Sequence, residues 1–193
     1  MRHKENKRAF TLTELILVVG IIALLAGIMI PVIKGAIEDA KIARLLNFAD
    51  ALALACKQFN SDTGSYALET ILGGPLSTNL STNGASIAGW DGPYCRPLSD
   101  EDNPFDLVPG GIFFLLAKVA VNNGVQYDLD GDGALEINGP GNDIQFYPVP
   151  DTAAKKINDI YDKNVPGDWK STGKVRYWPG AQGVLFIYLM GGH

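Results

Sequence analysis

The sequence predicts an α+β chain in which a long N-terminal α-helix packs on a small antiparallel β-sheet. The helix is expected to be transmembrane over its first half and amphipathic over its second. Three observations predict this. Residues 10–33 are 24 residues carrying one charge, Glu14, enough helix to cross the ~30 Å hydrocarbon core of a bilayer. After Lys34 the apolar residues Ile37, Leu45, Phe48, Leu52, Cys56 and Phe59 recur mostly at three- and four-residue steps, the mark of one buried helix face. From residue 62 onward turn-forming residues alternate with short runs rich in Val, Ile, Tyr, Phe and Trp, which read as strands.

The chain divides accordingly into a basic leader (1–9), a membrane half of the helix (10–33), an amphipathic half (34–61) and an α+β head (62–193), large enough for one core. The formal net charge is −5, with +3 in the leader and about −8 in the remainder, a balance that argues against nucleic acid as a partner. Basic residues directly before an apolar span hold that end in the cytoplasm, so the head is expected on the far side of the membrane. An ordinary secretory signal has an apolar core of about 7–15 residues, and residues 15–33 run beyond that without a charge.

No strong breaker interrupts the helix before Asn60-Ser61-Asp62-Thr63-Gly64. Pro31, Gly20, Gly27 and Gly35 loosen it without ending it. Gly20, Ala23, Ala26 and Gly27 give small surfaces on which helices approach closely. In the head, residues 73–84 read as an exposed loop, and 112–121 fit either a buried helix or a strand. Residues 152–163 read as a short helix, and 145–149, 174–178 and 184–190 as strands of a three- or four-stranded sheet covering the apolar face of the long helix.

Glu14 is the residue that asks for a function, because a carboxylate inside an apolar span costs free energy unless it finds a partner. Around it, Lys7-Arg8-Ala9-Phe10-Thr11-Leu12-Thr13-Glu14-Leu15 resembles the class III signal of type IV prepilins and type II secretion pseudopilins. The resemblance implies a pilin-like fold, removal of the leader between Ala9 and Phe10 by a prepilin peptidase, and N-methylation of Phe10. Glu14 then stands fifth in the mature chain. The family more often has Gly before the cut, where this chain has Ala9. Downstream, Asp62-Thr63-Gly64-Ser65-Tyr66, Trp90-Asp91-Gly92-Pro93-Tyr94 and Asp102-Asn103-Pro104-Phe105 resemble three short elements of pseudopilins and related pilins.

The resemblance implies a structural subunit and no enzyme. It would be a single-pass inner-membrane precursor with a cytoplasmic N-terminus that polymerises with its own copies, served by an assembly platform and a cytoplasmic ATPase, into an extracellular or periplasmic filament. The ammonium of Phe10 would meet Glu14 of a neighbouring subunit, with Thr11 or Thr13 assisting. Two charges withdrawn from water must neutralise each other, which sets subunit register as a buried polar group does in a coiled coil. Two other readings stand: Glu14 snorkelling to the headgroups, and a monomeric anchored binding domain. Pilus and secretion pseudopilus remain alternatives.

Two further expectations concern the head. Cys56 and Cys95 lie on the oxidising side and are expected to form a disulfide, the alternative being two thiols in the core. Asp128, Asp130 and Asp132, spaced D-x-D-x-D-G, with the Ala134 carbonyl and Glu136, are expected to bind Ca2+. The usual Glu at the twelfth loop position is replaced by Gly139, leaving Asn142 or Asp143 to substitute; a metal-free acidic turn is the alternative. The only histidines are His3 and His193, and no nucleophile constellation can be assembled.

Overall fold

The structure, a computed structural model, describes residues 11–67, 69–70, 79–83, 86–97, 104–105, 116–119, 125–180 and 183–191. Helix α1 runs from Leu12 to Thr63. The long apolar run and the absence of an early breaker produce it as expected, and Pro31 sits within it without ending it. The Asn60–Gly64 cluster does not break the helix at residue 60. It caps it three residues later: the Asn60 carbonyl accepts from Gly64 N–H at 2.8 Å, the Thr63 hydroxyl donates to the Phe59 carbonyl at 2.7 Å, and Gly64 takes φ +68°. A left-handed glycine just past the last turn is the usual way to close a helix.

The chain forms two compact units, one ending at Ala40 and one comprising 41–193. In the first, every described side chain up to Ile37 is exposed, apolar ones included. That is a surface suited to lipid or to other helices, not to water. Ile37 therefore does not belong to the buried face, contrary to the sequence reading.

In the second unit the helix changes character at Ile42. Ile42, Leu45, Ala49, Leu52, Ala55, Cys56 and Phe59 are buried. They share a core with Ile144, Phe146, Val175, Leu185 and Ile187 of the sheet, and Phe48 meets Phe146 edge to face at 6.3 Å. Ala153, Ala154 and Ile157 of helix α2 (Asp151–Tyr161) close the same core.

The main sheet has five strands, all antiparallel, where three or four were expected. They are β1 (Glu69–Thr70), β2 (Leu116–Val119), β5 (Gly141–Phe146), β6 (Val175–Trp178) and β7 (Val184–Gly191), in the order β1-β2-β5-β7-β6. A β-bulge falls between Asn142 and Asp143. The ambiguous 112–121 run contributes strand β2; its other residues lie outside the described ones. Strand β5 starts four residues before the expected 145–149 strand and ends three earlier. Strands β3 (Val125–Tyr127) and β4 (Ile137–Gly139) form a separate hairpin. Of the loop expected to be exposed, Leu80 and Ser81 are buried, because Leu80 joins the core and its carbonyl accepts from the Tyr94 amide at 2.8 Å. Residues 71–78, 84 and 85 lie outside the described ones.

Candidate functional site

At the N-terminus, Thr11 and Glu14 form a reciprocal capping box. The Thr11 amide and hydroxyl donate to Glu14 Oε2 at 2.9 and 2.8 Å, and the Glu14 amide donates to Thr11 Oγ1 at 3.3 Å. Thr-x-x-Glu satisfies helix-end donors that have no partner within the helix. Of the two threonines named beside Glu14, Thr11 bonds it within the single subunit. The spacing was readable in the sequence as a helix start. The processing pair, Ala9 and Phe10, lies outside the described residues.

At the other end of α1, two of the three downstream elements meet. The Tyr94 hydroxyl donates to Asp62 Oδ2 at 2.8 Å and accepts from the Asp91 amide at 2.9 Å. Its ring stands edge to face against Phe59 and Trp90 at 5.6 and 5.7 Å. Trp90 Nε1 donates to the Asn79 carbonyl at 2.6 Å. Gly89 (φ +80°) lies so close to Asp62 that an added Cβ would stand 2.2 Å from the Asp62 carbonyl oxygen. The first and second elements thus form one joint holding the loop on the helix end. The third places Phe105 in the core, with Lys41 Nζ 5.8 Å from its ring centre.

The acidic residues occupy the turn of the β3–β4 hairpin. Asp128, Asp130, Asp132 and Glu136 each offer an oxygen, all within 4.8 Å of one another. Oxygens on opposite sides of a calcium ion, each at 2.3–2.6 Å, stand about 5 Å apart, so this donor set fits a hard cation. Asp128 is buried and accepts from the amides of Gly131 (2.7 Å) and Gly133 (3.0 Å). Ala134 lies in the same turn and its amide donates to Asp132 Oδ1 at 2.7 Å. The substitutes expected for the twelfth-position Glu are engaged in β5 instead. Asn142 Nδ2 donates to the Ala67 carbonyl at 3.0 Å, and Asp143 Oδ2 accepts from the Tyr127 hydroxyl at 3.3 Å. Beneath the turn, Tyr127 and Ile137 are buried against Leu129 and Tyr188. Burial, and then the Asp143 charge, push the Tyr127 hydroxyl well above the ordinary phenol range.

The expected disulfide is not shown: Cys56 is buried in the main core, and Cys95 packs partly buried against the same core.

Residues 4–30 match the family model described as the prokaryotic N-terminal methylation motif. The match marks this N-terminal segment as a class III prepilin-type signal, the kind carried by type IV pilins and pseudopilins. No curated protein and no solved structure matches the chain. The Thr11–Glu14 box lies inside the matched segment. The match implies a structural subunit and no enzyme, maturation by prepilin peptidase, and assembly with pilin partners. The apolar half of α1 is compatible with membrane anchoring of a prepilin.

Sequence reasoning missed three contacts of the prepilin head. These are Asp62 with Tyr94, the Tyr161 hydroxyl on Asp50 Oδ1 at 2.7 Å, and Asp162 with its amide donors. Each joins residues far apart in the chain, for which no local spacing exists to be read.

Proposed function

We propose that this prepilin is the structural subunit of a type IV pilus-like filament. After cleavage at Ala9–Phe10 and methylation of Phe10, the new N-terminal cation of one subunit pairs with Glu14 of its neighbour. The observation that carries this reading is an acid at the start of the exposed apolar half of α1, within the methylation motif. In the single subunit, Thr11 supplies the partners of that acid. On assembly the Phe10 ammonium joins them, and the exposed apolar side chains exchange lipid for neighbouring helices. Before assembly the subunit spans the inner membrane with its N-terminus in the cytoplasm, since the basic leader precedes the span. A cytoplasmic ATPase and a membrane platform drive its extraction.

A second reading, as a type II secretion pseudopilin, is favoured by the joint of Asp62 with Tyr94, which unites two of the elements that resemble pseudopilins. Mass spectrometry of the native N-terminus, with electron microscopy of sheared surface material, tests the proposal. N-methyl-Phe10 in fibres containing this chain is the expected result. An intact Met1, or processed chain that never enters a fibre, would overturn it. Secretion defects on deletion, without surface fibres, would favour the pseudopilin.

As part of the same reading, Asp128, Asp130, Asp132 and Glu136 hold a calcium ion that braces the β3–β4 turn. Calcium is expected to raise the melting temperature of the solubilised chain, and Asp130→Ala to abolish that rise. A melt indifferent to calcium and to chelator would leave the turn a metal-free acidic one.

A further inference from the structure

Among the described residues strand β6 is an edge strand, and its four residues, Val175-Arg176-Tyr177-Trp178, are β-prone, carry one charge and contain no proline. Trp178 is 70 % exposed. Such an edge is a ready template for another chain. Identical edges pair antiparallel about a two-fold axis, so the most available partner is a second copy.

The connection between α2 and β6 answers this hazard. The Val175 amide donates to Asp162 Oδ2 and the Lys174 amide to Asp162 Oδ1, both at 2.8 Å. The Tyr177 amide donates to the Lys170 carbonyl at 2.9 Å. Residues 175 and 177 alternate with those that pair into β7, so these are the amides an incoming strand would need. The turn that presents Lys170 is itself held: the Asp168 carbonyl accepts from the Ser171 and Thr172 amides, and Trp169 stacks on Tyr177 at 5.7 Å and 13°. Gly173 (φ +89°) leaves no room for a side chain, since an added Cβ would stand 2.4 Å from Asp162 Cγ.

We propose that residues 162–174 form an edge guard, which occupies the outward amides of β6 and so prevents a second copy of this chain from adding its own β6 there. The guard keeps heads from pairing sheet to sheet, whether or not the chain forms filaments.

The test uses the full chain in detergent micelles, in a Cys95→Ser background, with Trp178→Cys as reporter. A bis-maleimide reaching about 15 Å spans the roughly 11 Å between the two reporters when the four-residue strands overlap fully, at ~3.3 Å per residue and a ~4.8 Å strand spacing. With the guard intact, only background cross-linked dimer is expected. Asp162→Ala is expected to raise it severalfold at position 178, but not at a control reporter, Ser61→Cys, which is exposed on α1 outside the guard. Efficient cross-linking with the guard intact would overturn the proposal. So would an equal rise at both reporters, or no rise in an Asp162→Ala chain that melts cooperatively. If Asp162→Ala does not melt cooperatively, Asp168→Ala decides, because Asp168 is exposed and holds the Lys170 turn. The same selective rise supports the guard, and its absence overturns it.

Discussion

Leu52 and Leu54 lie two residues apart on the same helix, with the same side chain and opposite surroundings. Leu52 is 2 % exposed within the core shared with the sheet, and Leu54 is 59 % exposed. Leu52→Ala removes buried methyls and leaves a cavity, a change that costs about 2–5 kcal/mol. At roughly 2–4 °C per kcal/mol for a domain of this size, the melting temperature should fall by about 4–20 °C. Leu54→Ala removes a side chain still mostly in water, which costs less than about 1 kcal/mol, so the melt should barely move. On the filament reading Leu54 faces neighbouring subunits, and Leu54→Ala should reduce the yield of sheared fibre while the head stays folded. The assay is a near-ultraviolet thermal melt of the detergent-solubilised chain, paired with quantification of sheared fibre. A melt lowered equally by both substitutions would refute the assignment of the two faces. Wild-type fibre yield from Leu54→Ala would refute its role between subunits.

Other outcomes are expected from the same geometry. Glu14→Ala should insert into the membrane and be processed, yet fail to enter fibres; normal fibres would leave Glu14 a snorkelling surface acid. Gly173→Ala combines a left-handed backbone with a collision against Asp162, and should cost about 2 kcal/mol or more, read as a lower denaturant midpoint; an unchanged midpoint would contradict this packing. Burial, then the hydrogen bond to Asp50, raise the Tyr161 pKa above its ordinary value. With the folded value above the unfolded one near 10, its contribution is complete below about pH 10 and is lost as pH rises through the folded pKa. Tyr161→Phe should therefore flatten part of the alkaline loss of stability in a pH series of melts; an identical slope would count against the contact.

The sequence by itself determined the long helix, its passage from an apolar to an amphipathic half, the strands β6 and β7, and the N-terminal methylation motif, while the structure moved the change of character from residue 34 to about residue 41. Each of these is local: hydrophobic period, β-propensity and a contiguous motif act over a few residues and survive whatever surrounds them. The tertiary structure decided what depends on distant partners. It buried Leu80 and Ser81 in a stretch rich in polar and turn residues, extended α1 through its apparent breaker, and engaged Asn142 and Asp143 in β5 away from the acidic turn. It also brought Cys56 and Cys95 to one core, and closed the β6 edge with a carboxylate from the end of α2. Burial and hydrogen-bond pairing are properties of space, and a chain carries them only as a sum over contacts that no window of residues contains.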